Sequence, residues 1–183
     1  QPFGMTMHEV SVTLGNGGYL RAVGDFNLRT GDDAALRINA MVNVADAYGA
    51  GIDKRGIAPT FRWGIGTRDE FQVGAYALRN DNGIHYGLPW LTPGASGGNY
   101  LWPTDPDNYY GMASDVARSG TTQAHASHVH RFEAGREIRT QVRVAEYTRD
   151  QRASAIRFAA ASLQPGGLAV TSDTFGDATV LQR

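Results

Sequence analysis

Ten residues, "AHASHVHRFE" (124–133), hold three histidines, His125, His128 and His130, and end on Glu133. His128 and His130 stand two apart, so an extended chain would present both imidazoles on one face. That is a two-ligand spacing for zinc or iron. Glu133 would add a carboxylate, and the chemistry would be that of a metal-dependent enzyme. A polar strand running into a turn accounts for the same residues without a metal. A second group suits binding rather than catalysis. Tyr86, Trp90, Tyr100, Trp102, Tyr109 and Tyr110 crowd one glycine- and proline-rich stretch, with Arg118 just beyond it and Lys54 and Arg55 upstream. Such a surface stacks on aromatic ligands and draws anions. Membrane-interface anchoring of Trp and Tyr is its plainer explanation. Serines and aspartates are plentiful, but none sits in a G-x-S-x-G frame. "GNGG" (15–18) and "TGDD" (30–33) are turns rather than phosphate loops, because no helix follows either.

The elements that would carry these groups are strands. Residues 35–44, "ALRINAMVNV", put Leu36, Ile38, Ala40, Val42 and Val44 on one side, and Arg37, Asn39, Met41 and Asn43 on the other. The same period of two runs through 6–14, 19–29, 57–65, 70–80, 121–132 and 137–147. Pro59 falls on the apolar row, where it removes a ladder hydrogen bond. After a first short connection at 15–18, the connections alternate in length. Those at 30–33, 66–69 and 133–136 are short, whereas 48–55, 81–120 and the stretch from 148 onward are long. If the short ones share one side, the chain has the asymmetry of outer-membrane barrels. Residues 155–163 read as a short helix or a poorly patterned strand.

Composition narrows the field. The chain has 183 residues, 23 of them glycine, and a net charge of -1, which suits strands and turns and offers nothing for nucleic acid. With no cysteine, disulfides, zinc–thiolate sites and thiol nucleophiles are excluded. No apolar run approaches the ~18 residues of a membrane helix, but barrel strands need only about 9–11.

"YALRNDNGIHYGLPWL" (76–91) followed by "NYYGMASD" (108–115) resembles the TonB-dependent siderophore receptors, in particular the catecholate branch. In that family a strand ends in a stretch like "DNIPDYGLPW", a variable loop follows, and an "FYG" element leads into the next strand. Residues 35–67 are similar to the family's Leu-Asn-rich strand, Arg-Gly loop and "APS"-like strand, and 131–150 to its short turn and outgoing strand. The resemblance covers roughly residues 18–150 and implies a 22-stranded outer-membrane barrel, filled by a plug domain, that imports ferric siderophores with energy relayed by the TonB complex.

The expectation is therefore an all-β, antiparallel, up-and-down transmembrane segment of about seven or eight strands, with short periplasmic turns and long extracellular loops. Residues 1–183 would be the N-terminal part of the barrel domain. Plug, TonB box, signal peptide and an aromatic C-terminus are missing from the sequence given. The resemblance implies the Gram-negative outer membrane as location. It implies as partners a ferric siderophore, outer-membrane lipid, and the TonB complex through the plug. Cofactors, a resident metal and enzymatic activity are not expected. The candidate binding residues are Tyr86, Trp90, Tyr100, Trp102, Tyr109, Tyr110 and Arg118. Two soluble alternatives remain: a cupin-like metal enzyme using His128, His130 and Glu133, and a carbohydrate-binding β-sandwich using Trp90 and Trp102. In "HVHRFE" the carboxylate comes one residue early for a cupin, and the expected glycine before the first histidine is absent.

Overall fold

The computed structural model describes residues 1–47, 50–85, 87–88, 90–91, 100–101, 105–158 and 175–182. The strands run in chain order: β1 Met7–Gly15, β2 Tyr19–Arg29, β3 Ala35–Ala47, β4 Ala50–Trp63, β5 Asp69–Asn82, β6 Trp90–Leu91, β7 Tyr100–Leu101, β8 Val116–Arg131, β9 Glu137–Phe158 and β10 Phe175–Gln182. Eight of them form one sheet in the order β1-β2-β3-β4-β5-β8-β9-β10, while β6 and β7 pair as a separate ribbon. Every neighbouring pair is antiparallel.

Residues opposite each other in an antiparallel pair share a face, so the register carries the alternation of one strand across the sheet. Leu36 stands opposite both Leu28 and Phe61, and Phe61 opposite Val73. On the other face Arg62 is opposite Gln72, Gln72 opposite Ser127 and Ser127 opposite Gln141. Pro59 lies inside β4, opposite Ile38, yet the β4–β5 ladder passes from Ile57↔Ala77 to Thr60↔Gly74 without it. A proline has no N–H to give to that ladder.

The apolar face is the outer one. Along β5, Val73, Ala75, Ala77 and Arg79 are exposed, while Gly74, Tyr76, Leu78 and Asn80 between them are half-buried, as on the inside of a curve. Leu14 is 75% exposed, Val144 72% and Ile57 49%. Among the described residues the buried apolar side chains are small ones, Pro2, Ala35 and Ala153. An apolar face this extensive and uncovered is not that of a soluble domain. At its turn-side end Phe61, Trp63, Phe71 and His128 stack in sequence, with ring centroids 5.6, 5.3 and 4.4 Å apart. Aromatic girdles of this kind flank the apolar band of membrane barrels.

Three expected loops are shorter than the sequence suggested. Residues 50–56 belong to β4, paired with β3 up to Ala47↔Ala50, so most of the expected 48–55 loop is strand. The 81–120 loop shrinks to 83–115, because β5 runs to Asn82 and β8 begins at Val116. β9 continues to Phe158, so 155–158 is strand; 159–163 lies outside the described residues. In the β4 extension Asp53 and Arg55 fall on one face and Lys54 on the other, so the alternation that marks a strand is lost there while the backbone ladder continues.

The opposite edge is closed by tight turns tied to one another. Ile65 N–H donates to Asp33 O at 2.9 Å, and Arg131 N–H to Arg68 O at 2.8 Å. Gly64 permits its turn: its φ is +70°, and a Cβ there would lie 2.2 Å from Asp69 O.

Candidate ligand-binding face and its supports

The three histidines do not act together. His125 is on the concave face, where Gln72 Nε2 donates to its Nε2 at 3.0 Å. Gly74 makes room for that ring, since a Cβ would stand 2.4 Å from His125 Cε1. His128 and His130 share the outer face as their spacing predicts. Their carboxylate is Asp69 of β5, not Glu133: Asp69 Oδ1 accepts from His128 Nε2 at 2.8 Å and from His130 Nδ1 at 2.6 Å. The three donor atoms lie within 4.8 Å of one another, and all three side chains are partly exposed at the turn-side rim. The cupin-type set His128, His130 and Glu133 is not assembled. Asp69 was invisible to motif reading because it comes from the neighbouring strand, opposite His130.

The concave face is polar and braced. Near the turns, residues 1–6 lie across it as a strap. Asn27, 1% exposed, donates from Nδ2 to Phe3 O at 2.8 Å and to Met5 O at 2.5 Å, and its Oδ1 accepts from Phe3 N–H at 3.2 Å. Arg37 holds Asp25 through Nε at 2.8 Å and also reaches Gln1 O. Arg62 bonds Pro2 O at 2.9 Å and pairs with Glu70.

Toward the loop edge the register places one cationic row on the concave wall: Arg21, Asn43, Lys54, Asn80, Ser119 and Arg149. Asn80 Nδ2 donates to Ser119 Oγ at 3.0 Å. The row below is more apolar: Val23, Met41, Gly56, Leu78, Thr121 and Tyr147. Leu78 Cδ1 and Met41 Cγ close over Gly56, standing 3.1 and 3.5 Å from where its Cβ would be. Arg21 and Arg149 were missed as candidates. Carrying the alternation past the apolar band would have found them. Lys54 and Arg55, grouped together in sequence, point to opposite faces, Lys54 inward and Arg55 outward.

The expected aromatic site is only partly in view. Tyr86 and Trp102 lie outside the described residues. Trp90 and Tyr100 fall on the β6–β7 ribbon, in the pairs Trp90↔Leu101 and Leu91↔Tyr100. Tyr109 is half-buried, with its ring centroid 5.7 Å from that of His85; burial, then the nearby Asp115 charge, pushes its hydroxyl up. Tyr110 is half-buried. Arg118 stands apart from these tyrosines: it faces outward and binds Asp81, its Nε 3.2 Å from each carboxylate oxygen. The loop is tied to the wall by Asp115, whose Oδ2 accepts from Met112 N–H at 3.2 Å and Ser154 N–H at 3.0 Å, and from the Ser154 hydroxyl. Burial pushes that carboxyl up, but the Ser154 and Met112 donors outweigh it and hold the group below its ordinary value.

No family model matches the chain. The catecholate siderophore receptor Fiu of Escherichia coli K12 is 26% identical over 168 residues, covering 85% of this chain. The chain spans only 22% of that receptor's length. The open-form crystal structure of E. coli K12 Fiu, described as a ferric-catecholate import receptor, superposes over 100% of this chain and 29% of its own, with a TM-score of 0.81 at 23% identity. The siderophore receptor PiuA of Acinetobacter baumannii covers 84% of this chain and 23% of its own, with a TM-score of 0.75 at 21% identity. The curved, up-and-down sheet with its polar inner and apolar outer faces is the fold of a section of those barrel walls, and over most of its length the chain is similar in sequence to a stretch of a catecholate siderophore receptor.

Proposed function

We propose that the chain is part of an outer-membrane receptor, of the Gram-negative type, that takes up a ferric siderophore of the catecholate class. The observation that carries this is the division of the sheet: an outer face with many exposed apolar side chains, backed by a braced polar inner one. The outer face meets lipid, and the inner face belongs to the wet lumen of a longer barrel domain that includes residues 1–183. The TonB-linked plug and the remaining strands would be parts of that longer protein. A ferric catecholate is anionic and ringed with aromatic groups, and it meets two suitable surfaces. One is the cationic row of Arg21, Lys54 and Arg149 above the Met41–Leu78 patch. The other is the loop carrying Tyr86, Trp90, Tyr100, Trp102, Tyr109 and Tyr110. Arg118, facing outward, is the least favoured of the expected contacts. The chain's residues bind and guide the cargo and carry out no bond chemistry on it.

Soluble cupin and sandwich readings each need a closed apolar core, and the described residues form none. The test is purification followed by titration. The chain should need detergent to stay monodisperse and should bind ferric dihydroxybenzoate, with affinity reduced by Lys54→Gln and Arg149→Gln. A chain that is monomeric and cooperatively folded in plain buffer would end this reading.

A further inference from the structure

At the turn-side rim of the outer face, one carboxylate oxygen serves two imidazoles. Asp69 begins β5 directly opposite His130 of β8, and Phe71 stands opposite His128. All four share a face, so the carboxylate meets His130 straight across and His128 on the diagonal. Asp69 Oδ1 lies 2.6 Å from His130 Nδ1 and 2.8 Å from His128 Nε2. Aromatic neighbours hold both rings in place. His128 lies flat on Phe71, with centroids 4.4 Å apart and planes 7° apart, and His130 meets Phe132 edge-on at 4.6 Å. The next cation along the chain is turned away: Arg131 reaches to the concave side, bonded to Thr67 O and Glu70. The donor atoms of Asp69, His128 and His130 all lie within 4.8 Å of one another, and each side chain is open enough for an ion to reach it.

We propose that Asp69, His128 and His130 form a Zn²⁺ site that staples β5 to β8 beside the 66–69 turn. Two imidazoles and one carboxylate suit Zn²⁺, whereas Ca²⁺ and Mg²⁺ take shells of oxygen. Tetrahedral bonds of about 2.0–2.2 Å set ligand atoms roughly 3.4 Å apart, so each contact must open by less than ~1 Å. Small rotations of half-exposed side chains supply that. The histidines bind as neutral imidazoles, through Nε2 of His128 and Nδ1 of His130, with the hydrogen on the other ring nitrogen. Water takes the fourth position. The site lies at the opposite end of the β5–β8 pair from Asn80 and Ser119 of the cationic row, so it stands apart from the cargo reading.

The test titrates the detergent-solubilised chain with zinc chloride in a calorimeter. One Zn²⁺ should bind per chain. His128→Ala and His130→Ala should each weaken binding roughly a hundredfold, and Asp69→Asn, which keeps an oxygen but loses the charge, about tenfold. Glu133→Gln and His125→Ala should leave it unchanged. In the unsubstituted chain Zn²⁺ should shift the ring proton signals of two of the five histidines, which tests the site without any variant. Excess Zn²⁺ should raise the urea midpoint of the unsubstituted chain and not that of His130→Ala. Several results would each overturn the site: no saturable binding, binding that survives both histidine variants, loss of binding in Glu133→Gln, ring signals that all shift alike or not at all, or a midpoint that rises equally in both chains.

Discussion

Arg62 of β4 and Glu70 of β5 form an ion pair on the concave wall, with Arg62 Nε 2.8 Å from Glu70 Oε1, and the glutamate is 7% exposed. Arg131 of β8 joins from the other side, its Nη2 3.1 Å from Glu70 Oε2, so one carboxylate ties three strands. Removing the acid leaves two guanidiniums facing each other, Arg62 largely covered and Arg131 partly open to solvent. Glu70→Gln should therefore lower stability by about 1–3 kcal/mol, less than a fully buried pair because solvent screens the Arg131 side. Glu137→Gln, which removes an exposed partner 3.8 Å from Arg131, should cost about 0.5 kcal/mol or less. Urea midpoints of the two variants in the same detergent make the comparison.

The strap of residues 1–6 depends on Asn27. Its amide uses both donor and acceptor, and no other side chain of similar size supplies both to Phe3 and Met5. Asn27→Ala should release the strap at a cost of about 1–3 kcal/mol. Asn27→Asp retains an acceptor for Phe3 N–H but cannot donate to the two carbonyls, and should behave nearly as badly. Hydrogen exchange at the Phe3 amide reads this directly. Unchanged protection in Asn27→Ala would show that the Arg37 and Arg62 hydrogen bonds to the Gln1 and Pro2 carbonyls hold the strap without it.

Two adjacent residues of β9 separate membrane from water. Val142, 63% exposed, is on the outer face, and Gln141 is on the inner one. In lipid, Val142→Arg should cost about 2–4 kcal/mol and block insertion into vesicles, whereas Gln141→Arg should be nearly neutral. Equal tolerance of both would mean that the outer face never meets hydrocarbon.

The parts of the fold written as alternation were legible beforehand. Leu36 to Val44 announce a strand and both its faces, and the turns at 30–33, 66–69 and 133–136 follow from the glycines and acids between such runs. Strand ends were not legible. Around Asp53, Lys54 and Arg55 both faces are polar, so period two vanishes from the composition while the hydrogen-bond ladder runs on to Ala47↔Ala50. The site was legible only as residue types. Spacing put His128 and His130 on one face, but their partner Asp69 was set by β5–β8 register. Arg21 and Arg149 became neighbours of one row only through five strand pairings that no local window contains.

The same register sets a pH response in the loop. Asp115 holds Met112 and Ser154 as a carboxylate, and those hydrogen bonds keep its folded-state value below that of an unfolded aspartate, near 4. A group with a depressed value adds stability that is fully present above its unfolded value and fades as pH falls through the folded one. The loop anchor should therefore be unchanged from pH 7 down to about 5 and weaken below about 4. Exchange protection of the Met112 and Ser154 amides should drop over that acid range while the β3–β4 amides stay protected. In Asp115→Asn the amide oxygen accepts more weakly and carries no charge, so protection should be lower at pH 7 and flat with acid. A wild-type loop whose protection does not change down to pH 3 would show that Asp115 does not anchor it.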